Sequence, residues 1–255
     1  MEESFIPMVS SAKCKSIFAN EQLLNHFPKL LSGNHELYNL SREQLGEKLQ
    51  IPFALESTGD LVGYYDHQLH SNNHIESKSK LRFIVLDSYD ICILDRCPEK
   101  SNKHRLAREM LSANNHNYPQ NENSPEGLEG MSKRFVAFNG AIDVPQLEWF
   151  ERSLQSAKES GERVIVCSHQ PIHPGSSWPT CLMWNYEDVL EIMRRYNDVI
   201  IASFSGHAHK GGYVRDELSG EFRIATALIC LLRHFHIITA LNSSCHVCQE
   251  YISGR

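Results

Sequence analysis

The sequence lacks a cluster of Lys and Arg, an internal repeat, a low-complexity tract and any cysteine spacing typical of a disulfide framework. With 25 basic against 31 acidic residues and a net charge of −6, it offers no electrostatic footprint for a phosphate backbone, so nucleic acid is excluded as a partner and a divalent cation suits it better. Its eight cysteines, at 14, 92, 97, 167, 181, 230, 245 and 248, are scattered. The stretch "MEESFIPMVS" has neither a basic region nor an apolar one, and a reducing, cytoplasmic location is expected. The longest greasy stretch, Ile224 to Leu241, is interrupted by Arg233, His234 and His236, which predicts a buried segment and no membrane partner. What is present, 41% apolar and 22% charged residues over 255 positions, fits one large globular domain with a real core. A monomer is expected.

Along the chain, residues 20–31 read as a short helix with Leu23, Leu24 and Phe27 on one side, and 42–51 as a second helix capped by Ser41. "LRFIVLD" (81–87) is a buried strand, Arg105–Leu111 a short helical signal, and 113–133 a long Asn, Pro and Gly-rich loop of the kind that often serves function. Asp143 with Gln146 resembles a capping box, Pro145 fits an early helical position, and Leu147, Phe150, Leu154 and Ala157 form an apolar stripe ending before Gly161. "RVIVCSH" (163–169) is then a strand ending in histidine, Asn185 caps a helix with Val189, Leu190 and Met193 at helical spacing, and "DVIIASFSGHAH" (198–209) is a strand ending in two histidines. Such alternation predicts parallel strands with covering helices, in which ligands collect outside the carboxyl ends of the strands.

Three separated pieces end at that edge: "GNHE" (33–36), "CSHQPIHPG" (167–175) and "SGHAH" (205–209). A single histidine carries little weight, and the set carries the argument. Glycine before the first and third groups, Gly33 and Gly206, lets the chain turn sharply, and His-x-His in an extended segment places two imidazoles on one side of the backbone. Neutral imidazole is a good ligand for Mn, Fe, Zn or Ni.

These blocks, in this order and spacing, resemble the last three of the five blocks of the calcineurin-like metallophosphoesterase superfamily. "GNHELYN", "PFALESTGDLVGYY", "RFIVLDSYDICIL", "SPEGLEG", "RFVAFNG", "VIVCSHQPIHPGSS" and "LMWNYEDVLEIMRRYNDV" are similar to the manganese-dependent ADP-ribose/CDP-alcohol diphosphatases, most of all to the plant members, over about residues 28 to 220. The resemblance implies an α/β fold, a two-sheet sandwich with flanking helices in four layers (α/β/β/α), and a pair of Mn2+ ions at the strand ends. One ion would take Asn34, His169 and His207 with an aspartate shared between both ions. The other would take His209, the shared aspartate, and an aspartate and histidine from an Asp-x-His block. His35 would lie beside the leaving oxygen. The implied reaction is hydrolysis of the phosphoanhydride of ADP-ribose, CDP-choline or CDP-glycerol, so a nucleotide-diphosphate small molecule is the expected partner.

The Asp-x-His and Gly-Asp-x-x-Asp blocks that should precede Gly33 are not found in residues 1–32, and "SFIPMVSSAKCKSIFANEQLLNHF" contains no aspartate. The expectation is an N-terminally truncated member: an atypical segment over 1–27, the metallophosphoesterase domain over 28–221, and an atypical tail over 222–255. Asp60 and Asp87 are read as structural, because neither is followed by the residues the missing blocks require. With neutral donors and no shared aspartate, nothing offsets repulsion between two dications, so one weakly bound ion and reduced turnover are expected. The alternative is a non-catalytic remnant that binds one metal or a nucleotide. His173 and Trp178 are candidate substrate-binding residues, the latter because aromatic faces stack on bases; core packing is the expectation for Trp184. In the tail, Cys245 and Cys248 with His234 and His236 could form a zinc site, but a lone Cys-x-x-Cys lacks its second pair.

Overall fold

The two apolar runs that lead into the histidine blocks become adjacent parallel strands. The computed structural model describes residues 31–69, 80–94, 101–216 and 223–226. The helical elements are α1 (Asn34–Leu37), α2 (Arg42–Leu49), α3 (Asn102–Asn114), α4 (Val144–Glu159) and α5 (Tyr186–Arg195). The strands are β1 (Ala54–Leu55), β2 (Leu61–Val62), β3 (Tyr65–Leu69), β4 (Lys80–Leu86), β5 (Glu162–Ser168), β6 (Ile200–Ser205), β7 (Gly212–Arg215) and β8 (Arg223–Thr226). Six of them form one mixed sheet in the order β3-β4-β5-β6-β8-β7, and β1 and β2 form a separate two-stranded ribbon. β4, β5, β6 and β8 run parallel, with β3 and β7 antiparallel at the edges. The α/β class with flanking helices is therefore present.

The strand sequences are apolar on both faces because both faces are covered, as in parallel sheets generally. Ile84 and Leu86 of β4 and Val164 and Val166 of β5 pack with Phe150, Leu154 and Ala157 of α4 and with Val189, Leu190 and Met193 of α5. On the opposite face Phe83, Val85 and Ile165 are buried as well. The stripe read from the sequence at α4 thus faces the sheet, and the helix stops at Gly161, whose φ of 65° needs no side chain. A second cluster seats α3 against Phe135, Ala137 and Trp184, and a third seats Leu37 and Leu45 against Tyr89. Trp184 is core, with its indole N–H donating to the Val136 carbonyl.

Among the described residues the local signals were met with two exceptions. Ser41 caps α2 and accepts from the Gln44 amide, completing a capping box. Asp143 caps α4, accepting from Val144 N at 2.8 Å, but Gln146 does not close the expected box. Its amide is fully buried instead, accepting from Asp87 N at 2.9 Å and donating to Asp90 Oδ2 at 2.8 Å. Likewise Asn185 stands at the N-cap of α5 without a capping bond, because its side chain is spent on both backbone groups of Ile142. The segment 1–27, most of the helix read over 20–31, and the Cys245, Cys248, His234 and His236 group lie outside the described residues. Arg223–Thr226, within the stretch read as an atypical tail, joins the main sheet. Among the described residues no helix is long and apolar enough to cross a membrane.

Ion pairs out of solvent tie the strand ends to the loops. Arg42 donates to Asp87 Oδ2 at 2.8 Å and to the Tyr89 carbonyl at 2.6 Å, and Asp87 also accepts from Gly63 N at 2.9 Å and Tyr89 N at 3.0 Å. Lys103 pairs with Asp90, with Glu56 at 3.1 Å and with Asp143 at 3.5 Å. Burial holds the Asp90 carboxyl above its ordinary range against the lowering pull of Lys103. Removing one partner of such a pair strands the other charge, and Asp87→Ala is expected to lower stability by about 3–5 kcal/mol, read by urea denaturation.

Candidate metal centre

The donors converge because each sits where a strand or helix ends. Gly33 is the extended N-cap of α1, and its amide donates to Glu36 Oε2 at 3.0 Å, closing the turn so that Asn34 points inward and is buried. A Cβ on Gly33 would lie 2.5 Å from His169 Cε1 and 2.7 Å from Nδ1, so only glycine leaves room for that ring. His169 follows β5, and its successor Gln170 is locked by Gly140 N at 3.2 Å and Ser88 O at 3.3 Å. His207 follows β6 in a left-handed backbone conformation, φ 63°, which is uncommon outside glycine, Asn, Asp and His. Gly206 N donates to His169 O at 2.9 Å, joining the two histidine loops.

Asn34 Oδ1, His169 Nε2 and His207 Nδ1 form a nearly equilateral triangle with sides of 3.1, 3.2 and 3.2 Å. Asn139 shows which nitrogen of His207 carries its proton. The Asn139 amide nitrogen donates to Arg134 O at 2.8 Å and Thr180 O at 2.9 Å, so Oδ1 is the atom left to face His207 Nε2 at 2.9 Å. An amide oxygen only accepts, so Nε2 is the protonated nitrogen and Nδ1 presents its lone pair to the cluster. Burial, then the neighbouring imidazoles, hold His169 well below the usual histidine range and bring His207 down to about 4. Both rings are therefore neutral near pH 7.

Lone pairs this close need a proton or a cation among them. Around a divalent ion with bonds of about 2.1 Å, adjacent ligand atoms stand about 3.0 Å apart in an octahedron and about 3.4 Å in a tetrahedron. The triangle falls between these spacings, and one amide oxygen with two neutral imidazoles is a donor set for Mn, Fe or Zn. The residues present thus fit one side of a divalent metal's coordination shell.

The remaining candidates lie around this point. His35 and His209 are both exposed and stack on each other, ring centroids 6.3 Å apart and planes 16° from parallel. They lie within electrostatic reach of His169 and His207 without joining the triangle. Tyr89 flanks His169 and Phe138 flanks His207, each at 5.8 Å. His173 turns elsewhere: its Nδ1 accepts from Gly175 N at 2.9 Å and its Nε2 meets Asp216 Oδ1 at 3.2 Å, where Arg194 also binds. Trp178 is 59% exposed with the Lys210 ammonium 4.2 Å above its ring. Asp87 serves Arg42, and Asp60 accepts from Ser101 Oγ at 2.6 Å. Among the described residues no group of three or more His, Cys, Asp or Glu side chains is gathered as a metal cage; the third donor of the triangle is an amide.

Asn139 and Gln170 were not singled out from the sequence. An amide in a loop gives no periodic signal, and Asn139 stood out only as part of "RFVAFNG".

No family model matches the chain. It is 36% identical over 225 residues to a manganese-dependent ADP-ribose/CDP-alcohol diphosphatase of Arabidopsis thaliana, covering 86% of this chain and 67% of that one. A human protein of the same name is 37% identical over 190 residues, covering 72% of this chain and 52% of the relative. The chain thus spans about two thirds of the plant relative and about half of the human one. The crystal structure of a dimetal phosphatase from Danio rerio superposes with a TM-score of 0.66 at 33% identity, covering 80% of this chain and 61% of that one. Fold and sequence agree, and the chain belongs to the family of the manganese-dependent ADP-ribose/CDP-alcohol diphosphatases.

Proposed function

We propose that this protein hydrolyses the phosphoanhydride bond of ADP-ribose and of CDP-alcohols such as CDP-choline and CDP-glycerol, releasing a nucleoside monophosphate and a second phosphate ester. The observation that carries the reading is the triangle of Asn34, His169 and His207 beside the exposed pair His35 and His209. Mn2+ is the proposed cofactor; Asn34, His169 and His207 would hold one ion, and His209 is the proposed donor to a second. When bound, the ion polarises a phosphoryl oxygen and lowers the pKa of water.

The protein's own groups have distinct tasks. Asn34 and the two neutral imidazoles bind without adding charge, so a bound dication keeps its full field for the diphosphate. His35, exposed on the first residues of α1, donates a proton to the departing phosphate oxygen. Trp178 offers an aromatic face to the nucleobase, while His173 supports the loop that carries it through Gly175 and Asp216. A reducing, cytoplasmic setting is the proposed location, in keeping with the thiols of Cys92, Cys167 and Cys181.

One observation favours a second reading, a chain that binds one metal or a nucleotide without turnover. The donors gathered in the triangle are all neutral, and nothing in that set offsets repulsion between two dications.

Incubation of the chain with Mn2+ and CDP-choline is expected to release CMP slowly, and His35→Ala to reduce that release by about 10²–10⁴-fold, the usual scale of acid–base assistance. Mn2+ binding without any CMP release would instead favour the non-catalytic reading. Base stacking is worth about 1–3 kcal/mol, so Trp178→Ala is expected to raise KM about five- to a hundredfold with kcat little changed in steady-state assays.

A further inference from the structure

We infer that Asn139 is a positioning residue: it holds His207 in the Nε2–H tautomer and so keeps the Nδ1 lone pair aimed at the donor triangle. The inference rests on the metal reading above but concerns a residue that binds neither metal nor substrate.

Three observations carry it. Asn139 is fully buried, so its amide cannot trade partners with solvent. Its two N–H groups are committed to the carbonyls of Arg134 and Thr180, at 2.8 and 2.9 Å, which fixes the orientation of the carboxamide. Its oxygen therefore faces His207 Nε2 at 2.9 Å and can only accept. A neutral imidazole has one proton to place, and that bond places it on the nitrogen away from Asn34 and His169. Moving that proton to Nδ1 would leave Asn139 Oδ1 facing the bare lone pair of Nε2 and would cap the Nδ1 lone pair with a hydrogen. Partners of this kind typically change metal affinity by about 10–100-fold.

Asn139 also couples the site to two loops. Arg134 ends the long loop after α3, where its guanidinium donates to Trp184 O at 2.6 Å and stacks on Phe135. Thr180 lies in the loop that carries Trp178. The amide thus connects these two segments with the histidine loop after β6.

The test separates the tautomer from the scaffold. Asn139→Leu removes both the acceptor and the donors, whereas Asn139→Asp removes the two donors but keeps an oxygen for His207 Nε2–H. Long-range 15N NMR of the imidazoles in the metal-free chain reads the tautomer, electron paramagnetic resonance of free Mn2+ reads affinity, and circular dichroism checks folding. Wild type and Asn139→Asp are expected to show His207 as Nε2–H and to bind Mn2+ within about threefold of each other, with Asn139→Leu losing the single tautomer and binding about 10–100-fold more weakly. Equal losses in both variants, or an unchanged tautomer and affinity in Asn139→Leu, would overturn the inference by assigning Asn139 to loop packing or to no role. If the wild type binds no Mn2+, the metal reading itself falls, and the tautomer spectrum alone then decides whether Asn139 controls His207.

Discussion

Three ligating atoms 3.1–3.2 Å apart need a proton or a cation among them, and Asn34, His169 and His207 keep that separation because each is anchored from behind. Asn34 is held by the closed turn at Gly33, His169 by the absence of a side chain on Gly33 and by Gln170, and His207 by Asn139. The triangle is therefore a preorganised arrangement, held by contacts behind each donor. The left-handed backbone at His207 is an uncommon conformation that persists because its surroundings over-determine it.

The sheet makes this possible. Parallel strands β4, β5 and β6 end on the same edge, so residues more than a hundred positions apart in the chain, such as Asn34 and His169, meet without long excursions. The same edge is stiffened by Asp87 with Arg42, by Asp90 with Lys103, and by the buried amide of Gln146 between them. Each of these carboxylates is already matched by a basic partner or backbone amides. The acidic residues nearest the strand ends thus brace the loops, and the donors gathered in the triangle are neutral.

Much of the fold could be read from periodicity. The strands β4, β5 and β6, the stripe on α4 and the Ser41 cap all express local rules in which side-chain pattern and backbone geometry agree. The failures share one cause. Gln146 and Asn185 match helix-start patterns, but each amide side chain found a better partner across the core once the chain had folded. A short-range pattern cannot register a competitor that arrives from fifty residues away, and a buried amide without a partner costs more than an unfilled cap.

By itself the sequence determined the strand–helix alternation, the polarity of the strand ends, and the chemical types of Asn34, His35, His169, His207 and His209, because these follow from residue identity and local spacing. Only tertiary structure decided that three of those donors close into a triangle while His35 and His209 pair beside it, that Asp87 is committed to Arg42, and that an amide at 139 controls which nitrogen of His207 is free. Those outcomes depend on distances between segments remote in the chain and on which hydrogen-bond partner wins in a water-free interior, and no local pattern encodes either.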